Sequence, residues 1–197
     1  LKQVLGYTEH LLEGVEPAVR GRETALGNFL ADTMRERMHT DIAFTNGGGI
    51  RASFPAGTVT YGDVLTVLPF GNTIATAMIR GGHLLEALEA GFSQPGTGRF
   101  PQVAGIRLEV DLSAPPGRRI LAAEITHGAQ AGRLDPERMY RFVTNNFMRA
   151  GGDGYTALRD RAVDAYDTGP LLEELVAGFL AARSPAQPML DGRIRQR

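Results

Sequence analysis

The chain has 197 residues, a formal net charge of −1 and no cysteine, which excludes a strongly basic nucleic-acid binder, a disulfide framework and thiol catalysis. Hydrophobic residues make up 43% and charged residues 22%, the balance of a globular domain that buries its own core. No apolar run approaches the length of a membrane span, and the first residues carry no signal-peptide pattern. Since the sequence also opens without a methionine, we expect a piece of a longer protein.

The first half of the chain predicts short strands alternating with helices. Leu26, Leu30 and Met34 recur every four residues, which predicts a helix over 23–39 with Glu23 in its first turn. The arginines near the end of this segment suit the negative pole of a helix. The other predicted elements are an edge strand within 3–12, strands at 41–45, 58–61 and 73–79, and a short helix at 61–67.

The second half continues the alternation. Leucines at helical spacing predict a helix over 81–91, and we expect Gly91 to cap its C-terminus. A second helix is predicted over 170–183, with Pro170 in its first turn. Strands are predicted at 105–111, 120–126 and 140–146. Interleaved strands and helices predict an α/β (or α+β) class in a single domain spanning 1–197.

A glycine-rich segment follows the predicted strand at 41–45. Residues 46–51 read Asn-Gly-Gly-Gly-Ile-Arg, and three glycines let a backbone turn sharply and approach a ligand. Successive N–H groups in such a turn can bind an anion, and Arg51 could grip a phosphate through two parallel hydrogen bonds. A flexible turn with a surface arginine explains the pattern equally well.

Two further turns carry aromatic residues. Residues 68–72, Leu-Pro-Phe-Gly-Asn, place Phe70 on a rigid turn, although a core phenylalanine beside a turn is the simpler interpretation. Residues 145–155 place Phe147 beside a second glycine loop that holds Asp153, whose carboxylate could accept hydrogen bonds from ribose hydroxyls. A calcium loop is excluded because no further acids follow at the required spacing.

Two arginines, Arg20 and Arg22, precede the first long predicted helix. For Arg22, a solvated local ion pair is the simpler interpretation. Arg20, Arg51, Asp153 and the two phenylalanines together suit one ligand. Aromatic rings would stack on a base, each contributing on the order of 1–3 kcal/mol. Arginines would hold its phosphate and the aspartate its sugar.

Several of these segments resemble the C-terminal domain of the 5'-nucleotidase family. They are residues 23–28 (Glu-Thr-Ala-Leu-Gly-Asn), 46–51, 61–63 (Tyr-Gly-Asp), 68–72, 151–155 (Gly-Gly-Asp-Gly-Tyr) and the ending 191–194 (Asp-Gly-Arg-Ile). They occur in the family's order and span nearly the whole chain. The resemblance implies a layered α/β domain with mixed sheets and flanking helices.

The resemblance also assigns residue roles. Phe70 and Phe147 match the pair that sandwiches the base, and Asp153 matches the acceptor of the ribose hydroxyls. The remaining matches are Asn46 and Asn72 at the base edge, Arg20 and Arg51 at the phosphate, and the backbone of Gly48 and Gly49 along the pocket. Some relatives carry glycine at the position of Asn72.

Family members join this domain to an N-terminal metallophosphatase domain that holds two divalent metal ions. The four histidines here, His10, His39, His83 and His127, form no metal-ligand cluster in the sequence. We therefore expect no metal or cofactor in this chain, no hydrolysis by it alone, and a metallophosphatase domain in cis in the full-length hydrolase.

The expected ligand is a nucleotide or nucleoside, with no nucleic acid and no membrane span. The alternatives are a cyclic-nucleotide, UDP-sugar or dinucleotide hydrolase on the same scaffold, or a stand-alone nucleotide-binding module. The resemblance further implies a periplasmic, secreted or cell-surface protein.

Overall fold

The computed structural model describes residues 1–197 as three sheets flanked by helices. The strands are β1 (Val4–Thr8), β2 (Ile42–Asn46), β3 (Gly57–Thr60), β4 (Ile74–Arg80), β5 (Pro101–Ala104), β6 (Ile106–Val110), β7 (Ile120–Ile125), β8 (Gly132–Arg133), β9 (Met139–Asn145), β10 (Val163–Tyr166) and β11 (Ile194–Gln196). The helices are α1 (Glu16–Val19), α2 (Ala25–Met38), α3 (Tyr61–Val67), α4 (Gly81–Phe92), α5 (Asn146–Arg149), α6 (Thr156–Asp160) and α7 (Leu172–Ala182). Single 3₁₀ turns lie at Gly47–Gly49 and Gly152–Gly154.

A five-stranded mixed sheet, in the order β10-β4-β9-β2-β5, forms the centre of the fold. Strands β2 and β9 run parallel, while the other neighbours in this sheet are antiparallel. A four-stranded sheet has the order β11-β6-β7-β8, and β1 pairs with β3 in a two-stranded ribbon. The predicted layered α/β class with mixed sheets is confirmed.

Two hydrophobic clusters of 22 buried residues each lie on the two faces of the central sheet. The first gathers residues of α2, α3 and α7, with Leu30 and Met34 fully buried. The second joins α4 to the four-stranded sheet, with Leu88 and Leu108 fully buried. Strand β2 is buried along its whole length, and its apolar first half, residues 42–44, sends side chains alternately into the two clusters. Packing against both faces of the central sheet holds the ends of β2 and β9 in place.

The structure corrects three details of the predicted helices. Glu23 lies before the N-cap of α2, which is Thr24; its buried carboxylate accepts from Asn28 Nδ2 at 2.7 Å and from the Asp191 amide at 3.0 Å. Gly91 does not cap α4, which continues to Phe92; its missing side chain instead leaves room for Tyr155. Pro170 precedes the start of α7.

Short elements formed by tertiary contacts were not predicted: α1, α5, α6, β5, β8, β10 and β11. Strand β5, for example, exists because residues 101–104 pair antiparallel with β2 along their whole length. The longest apolar helices fall short of the length and hydropathy that a membrane crossing requires.

Candidate functional site

An open cavity of about 530 Å³ lies where the loops after β2 and β9 meet the loops that precede β4 and β5. Its ten lining residues include every residue singled out from the sequence as a candidate for ligand contact, together with one that was not. They are Arg20, Asn46, Gly48, Gly49, Arg51, Phe70, Asn72, Gly98, Phe147 and Asp153. Five separate chain segments, far apart in sequence, therefore form one site.

The glycine turn after β2 forms the floor of the cavity. A side chain at Gly47 would meet the Val19 carbonyl oxygen at 2.2 Å, and one at Gly48 would meet the Gly98 Cα at 2.8 Å. Both contacts are with backbone, which cannot swing aside, so these positions require glycine. The Gly48 N–H donates to the Gly98 carbonyl at 2.9 Å, which ties this turn to the loop before β5.

Asp153 is held by a chain of two asparagines. Asn145 Nδ2 donates to Asn46 Oδ1 at 2.9 Å, and Asn46 Nδ2 donates to Asp153 Oδ2 at 2.9 Å. Asn46 is 4% exposed, so its amide is aligned by these bonds and not by solvent. Asp153 has a φ of 54°, a left-handed conformation that is uncommon outside glycine and tolerated best by Asp and Asn. Asp153 Oδ1 has no hydrogen-bond partner within the protein.

Two phenylalanine rings stand on the rim of the cavity. Phe70 is 58% exposed and Phe147 is 44% exposed, and neither ring stacks on another aromatic side chain. Gly71 turns with a φ of 63°, which presents Phe70 outward. The Phe147 ring lies against Gly152, where an added side chain would meet it at 2.6 Å. Exposed aromatic faces of this kind are suited to stacking on a planar ligand.

Two arginines also line the cavity. The Arg51 guanidinium lies over the Phe70 ring, 5.7 Å from its centroid, and forms no ion pair. Arg20, half-buried at the end of α1, pairs with Glu16 at 2.9 Å, while its Nε is buried without a hydrogen-bond partner. Arg22 points elsewhere and pairs with Glu13 at 2.6 Å, as the local ion-pair interpretation expected. Two positive groups therefore face the cavity, and both retain hydrogen-bond donors for an anion.

Gly98 is the lining residue that sequence reasoning missed. It lies in the loop between α4 and β5, which is fixed at both ends: the Gly96 N–H donates to the Arg20 carbonyl at 2.7 Å, and the Tyr155 hydroxyl donates to the Arg99 carbonyl at 2.6 Å. Burial raises the pKa of Tyr155 above its usual range, so the hydroxyl keeps its proton and remains a donor. The sequence Gly-Thr-Gly at 96–98 is the signal that could have identified this loop.

No three histidine, aspartate or glutamate side chains lie close enough together to hold a metal ion. The four histidines are exposed or half-buried and lie outside the cavity. The chemistry that this arrangement supports is binding through stacking, hydrogen bonding and charge.

Known proteins match this chain along most of its length. Residues 4–160 match the family model described as the 5'-nucleotidase C-terminal domain. Over 98% of its length the chain is 41% identical to the trifunctional nucleotide phosphoesterase of Bacillus subtilis, covering 14% of that protein. It is 32% identical to human 5'-nucleotidase, again over 98% of the chain and covering 37% of the human protein.

Solved structures agree in fold. The 5'-nucleotidase precursor of Thermus thermophilus superposes with a TM-score of 0.93 at 41% identity, over 98% of this chain and 39% of that one. The NAD nucleotidase of Haemophilus influenzae gives 0.87 at 26% identity, over 99% of this chain and 38% of that one. The chain thus spans less than half the length of the relatives it matches.

Proposed function

The chain belongs to the family of 5'-nucleotidase C-terminal domains, and on that basis we propose that it binds the nucleoside part of a nucleotide and presents the phosphate for hydrolysis. The observation that carries this proposal is the single cavity in which two exposed rings, a carboxylate and two arginines meet. Each group suits one part of a nucleotide. A cavity of about 530 Å³ also has the size typical of small-molecule sites.

The base lies between Phe70 and Phe147, whose exposed faces would otherwise contact water. Asp153 accepts from the ribose hydroxyls through Oδ1, since Asn46 already occupies Oδ2. Asn46 retains one free amide hydrogen for the ligand, and Asn72 lies with it at the base edge. The backbone of Gly48 and Gly49 lines the floor without side chains in the way.

Arg20 and Arg51 face the phosphate. In the free protein the Glu16 carboxylate bonds one Arg20 nitrogen, an interaction that a phosphate oxygen would reproduce with greater charge. Arg51 has no acid to displace, so its donors are free to bond the anion. Its position over Phe70 also couples phosphate binding to the ring that stacks on the base.

Bond cleavage is assigned to a metallophosphatase domain in cis that holds two divalent ions, because this chain offers no cluster of metal ligands. The full-length protein is proposed to be a 5'-nucleotidase-type hydrolase, with this chain alone inactive. We further propose that the full-length protein is exported to the periplasm, the cell surface or the medium. A relative that supports export is the snake venom 5'-nucleotidase of Crotalus adamanteus, which is 30% identical over 98% of this chain.

Calorimetric titration of the chain with AMP, adenosine and UMP tests the binding role. We expect saturable binding that weakens by roughly tenfold or more in Phe70→Ala and in Phe147→Ala, given about 1–3 kcal/mol for each stacking ring. Leu121→Ala is the matched control, because Leu121 is similarly exposed on β7, outside the cavity. Titrations without saturation, or affinity untouched by both ring variants, would refute the base sandwich.

A dinucleotide or another nucleotide derivative is the second candidate ligand. The similarity to an NAD nucleotidase and to a trifunctional phosphoesterase favours it. A cavity that is open to solvent leaves room for a second group beyond the phosphate. Measuring hydrolysis of AMP, NAD, UDP-glucose and 2',3'-cyclic AMP by the full-length enzyme distinguishes the two candidates, since each predicts a different highest kcat/KM.

A further inference from the structure

Behind the rim of the cavity lies an acid to which none of the roles above is assigned. Glu173 is 6% exposed, and no ion pair or hydrogen bond within the protein involves its carboxylate. It lies in the first turn of α7, where the positive end of the helix favours a negative charge. A buried acceptor without a partner is costly in a folded protein, and a ligand or a neighbouring donor that bonds it would remove that cost.

Glu173 lines a gap of about 10 Å³ together with Gly49, Phe70 and Asn72. Those three residues also line the main cavity, so the gap lies directly behind its wall. The room is about that of one water-sized group, such as an amide NH₂. Asn72, half-buried, is the residue that borders both spaces and carries such a group.

Backbone contacts hold Asn72 at this position. The Leu172 N–H donates to the Asn72 carbonyl oxygen at 2.8 Å, which joins the phenylalanine turn to the start of α7 one residue before Glu173. The side-chain amide of Asn72, by contrast, makes no hydrogen bond within the protein. Its backbone is therefore fixed while the amide is free to take either of two orientations.

We propose that Glu173 is a positioning residue that sets the orientation of the Asn72 amide and thereby selects bases that carry an exocyclic amino group. The proposal rests on the proposed nucleoside-binding function. An ionised carboxylate only accepts hydrogen bonds, so it takes the NH₂ end of Asn72 into the gap. The Asn72 carbonyl oxygen then faces the cavity, where it accepts from an amino group and repels an oxo group.

Adenosine and inosine form the test pair, because they differ at the base edge by an amino against an oxo group; cytidine and uridine repeat the comparison on a smaller base. We expect the wild-type chain to bind the amino member of each pair roughly tenfold tighter, about the effect of one hydrogen bond. In Glu173→Gln the side chain can donate as well as accept, so both orientations of Asn72 are supported. The ratio of affinities should fall toward one.

Glu174→Gln is the matched control, since Glu174 lies in the same helical turn and is exposed, so it should leave the ratio unchanged. Asn72→Ala keeps the Glu173 carboxylate and removes the amide that contacts the base, so it should abolish the preference for amino-bearing nucleosides. Adding Glu173→Gln to the Asn72→Ala variant should change the affinity ratio no further. Asn72→Ala also keeps the test valid if Glu173→Gln fails to fold.

A purely structural role for Glu173 would lower thermal stability and weaken all four nucleosides alike. An unchanged ratio in Glu173→Gln, a ratio that survives Asn72→Ala, or a wild-type chain that binds both members of each pair equally overturns the inference while leaving nucleoside binding intact. Failure of the wild-type chain to bind any nucleoside instead refutes the proposed function itself.

Discussion

Asn46 Nδ2 donates to Asp153 Oδ2 at 2.9 Å, joining the end of β2 to the second glycine loop across 107 residues of chain. Asn46 is in turn held by Asn145, at the end of the neighbouring parallel strand β9. A buried side chain thus selects which carboxylate oxygen of Asp153 is left for the ligand. The strained backbone of Asp153 is sustained by the same contact.

Asn46→Ala should weaken adenosine binding by about tenfold or more, because an unheld Asp153 loses its orientation and a buried bond worth roughly 1–3 kcal/mol is broken. Calorimetry with adenosine and with free adenine measures the effect. Adenine lacks the ribose, so its affinity should change less than that of adenosine. Equal losses for the two ligands would contradict a role for Asn46 that acts through Asp153.

Arg51→Gln should reduce affinity for AMP more than for adenosine, since the lost guanidinium faces the phosphate. The cation–π contact with Phe70 lies within the protein, so its loss, on the order of 0.5–1 kcal/mol, should lower the stability of the chain and change adenosine affinity little. Parallel titrations with the two ligands give the comparison. Arg22→Gln is the control, because Arg22 pairs with Glu13 outside the cavity, and an equal effect in both variants would rule against the assignment.

Tyr155→Phe should destabilise the chain by roughly 1–2 kcal/mol, because the Arg99 carbonyl loses its buried donor. The loop that carries Gly98 should loosen, so adenosine affinity should fall along with stability. Urea unfolding monitored by circular dichroism gives the free energy of unfolding. Tyr7→Phe is the control: the Tyr7 hydroxyl is exposed and makes no hydrogen bond within the protein, so its removal should change stability little.

Stability at acid pH should depend on Asp191. Hydrogen bonds from Arg193 hold the pKa of Asp191 below its ordinary value of 3.8. A carboxyl whose pKa is lowered by folding stabilises the protein above its unfolded-state pKa, and this contribution is lost as pH falls through the folded-state value.

Asp191→Asn should therefore lower stability at neutral pH and flatten its decline below about pH 4. Unfolding midpoints measured from neutral to strongly acidic pH report the difference. Asp164→Asn provides the comparison, since Asp164 is exposed on β10 and forms no ion pair. A decline as steep in Asp191→Asn as in the wild type would show that the Arg193 contact contributes nothing at acid pH.

The α/β class, the main helices and most of the long strands are predictable from the amino-acid sequence. Their apolar periodicity is local: Leu26, Leu30 and Met34 mark one face of α2 wherever that helix packs. The sequence also supplied the nine candidate contact residues, through glycine turns that carry aromatic, acidic or basic groups and through a family resemblance. Those nine residues line one cavity, while their roles toward a ligand stay predictions.

Features that depend on contacts between distant segments became visible only in the folded chain. Strand β5 forms because it pairs with β2. Glu23 does not lie in the first turn of α2; its carboxylate accepts a hydrogen bond from the Asp191 amide and so holds the C-terminal segment. Gly91 leaves room for Tyr155 and does not end α4. Contacts between distant segments also account for the hydrogen bond between Asn46 and Asp153, the place of Gly98 in the cavity lining and the burial of Glu173. Hydrogen bonds and burial join residues that are close in space, and periodicity along the chain carries no record of those distances.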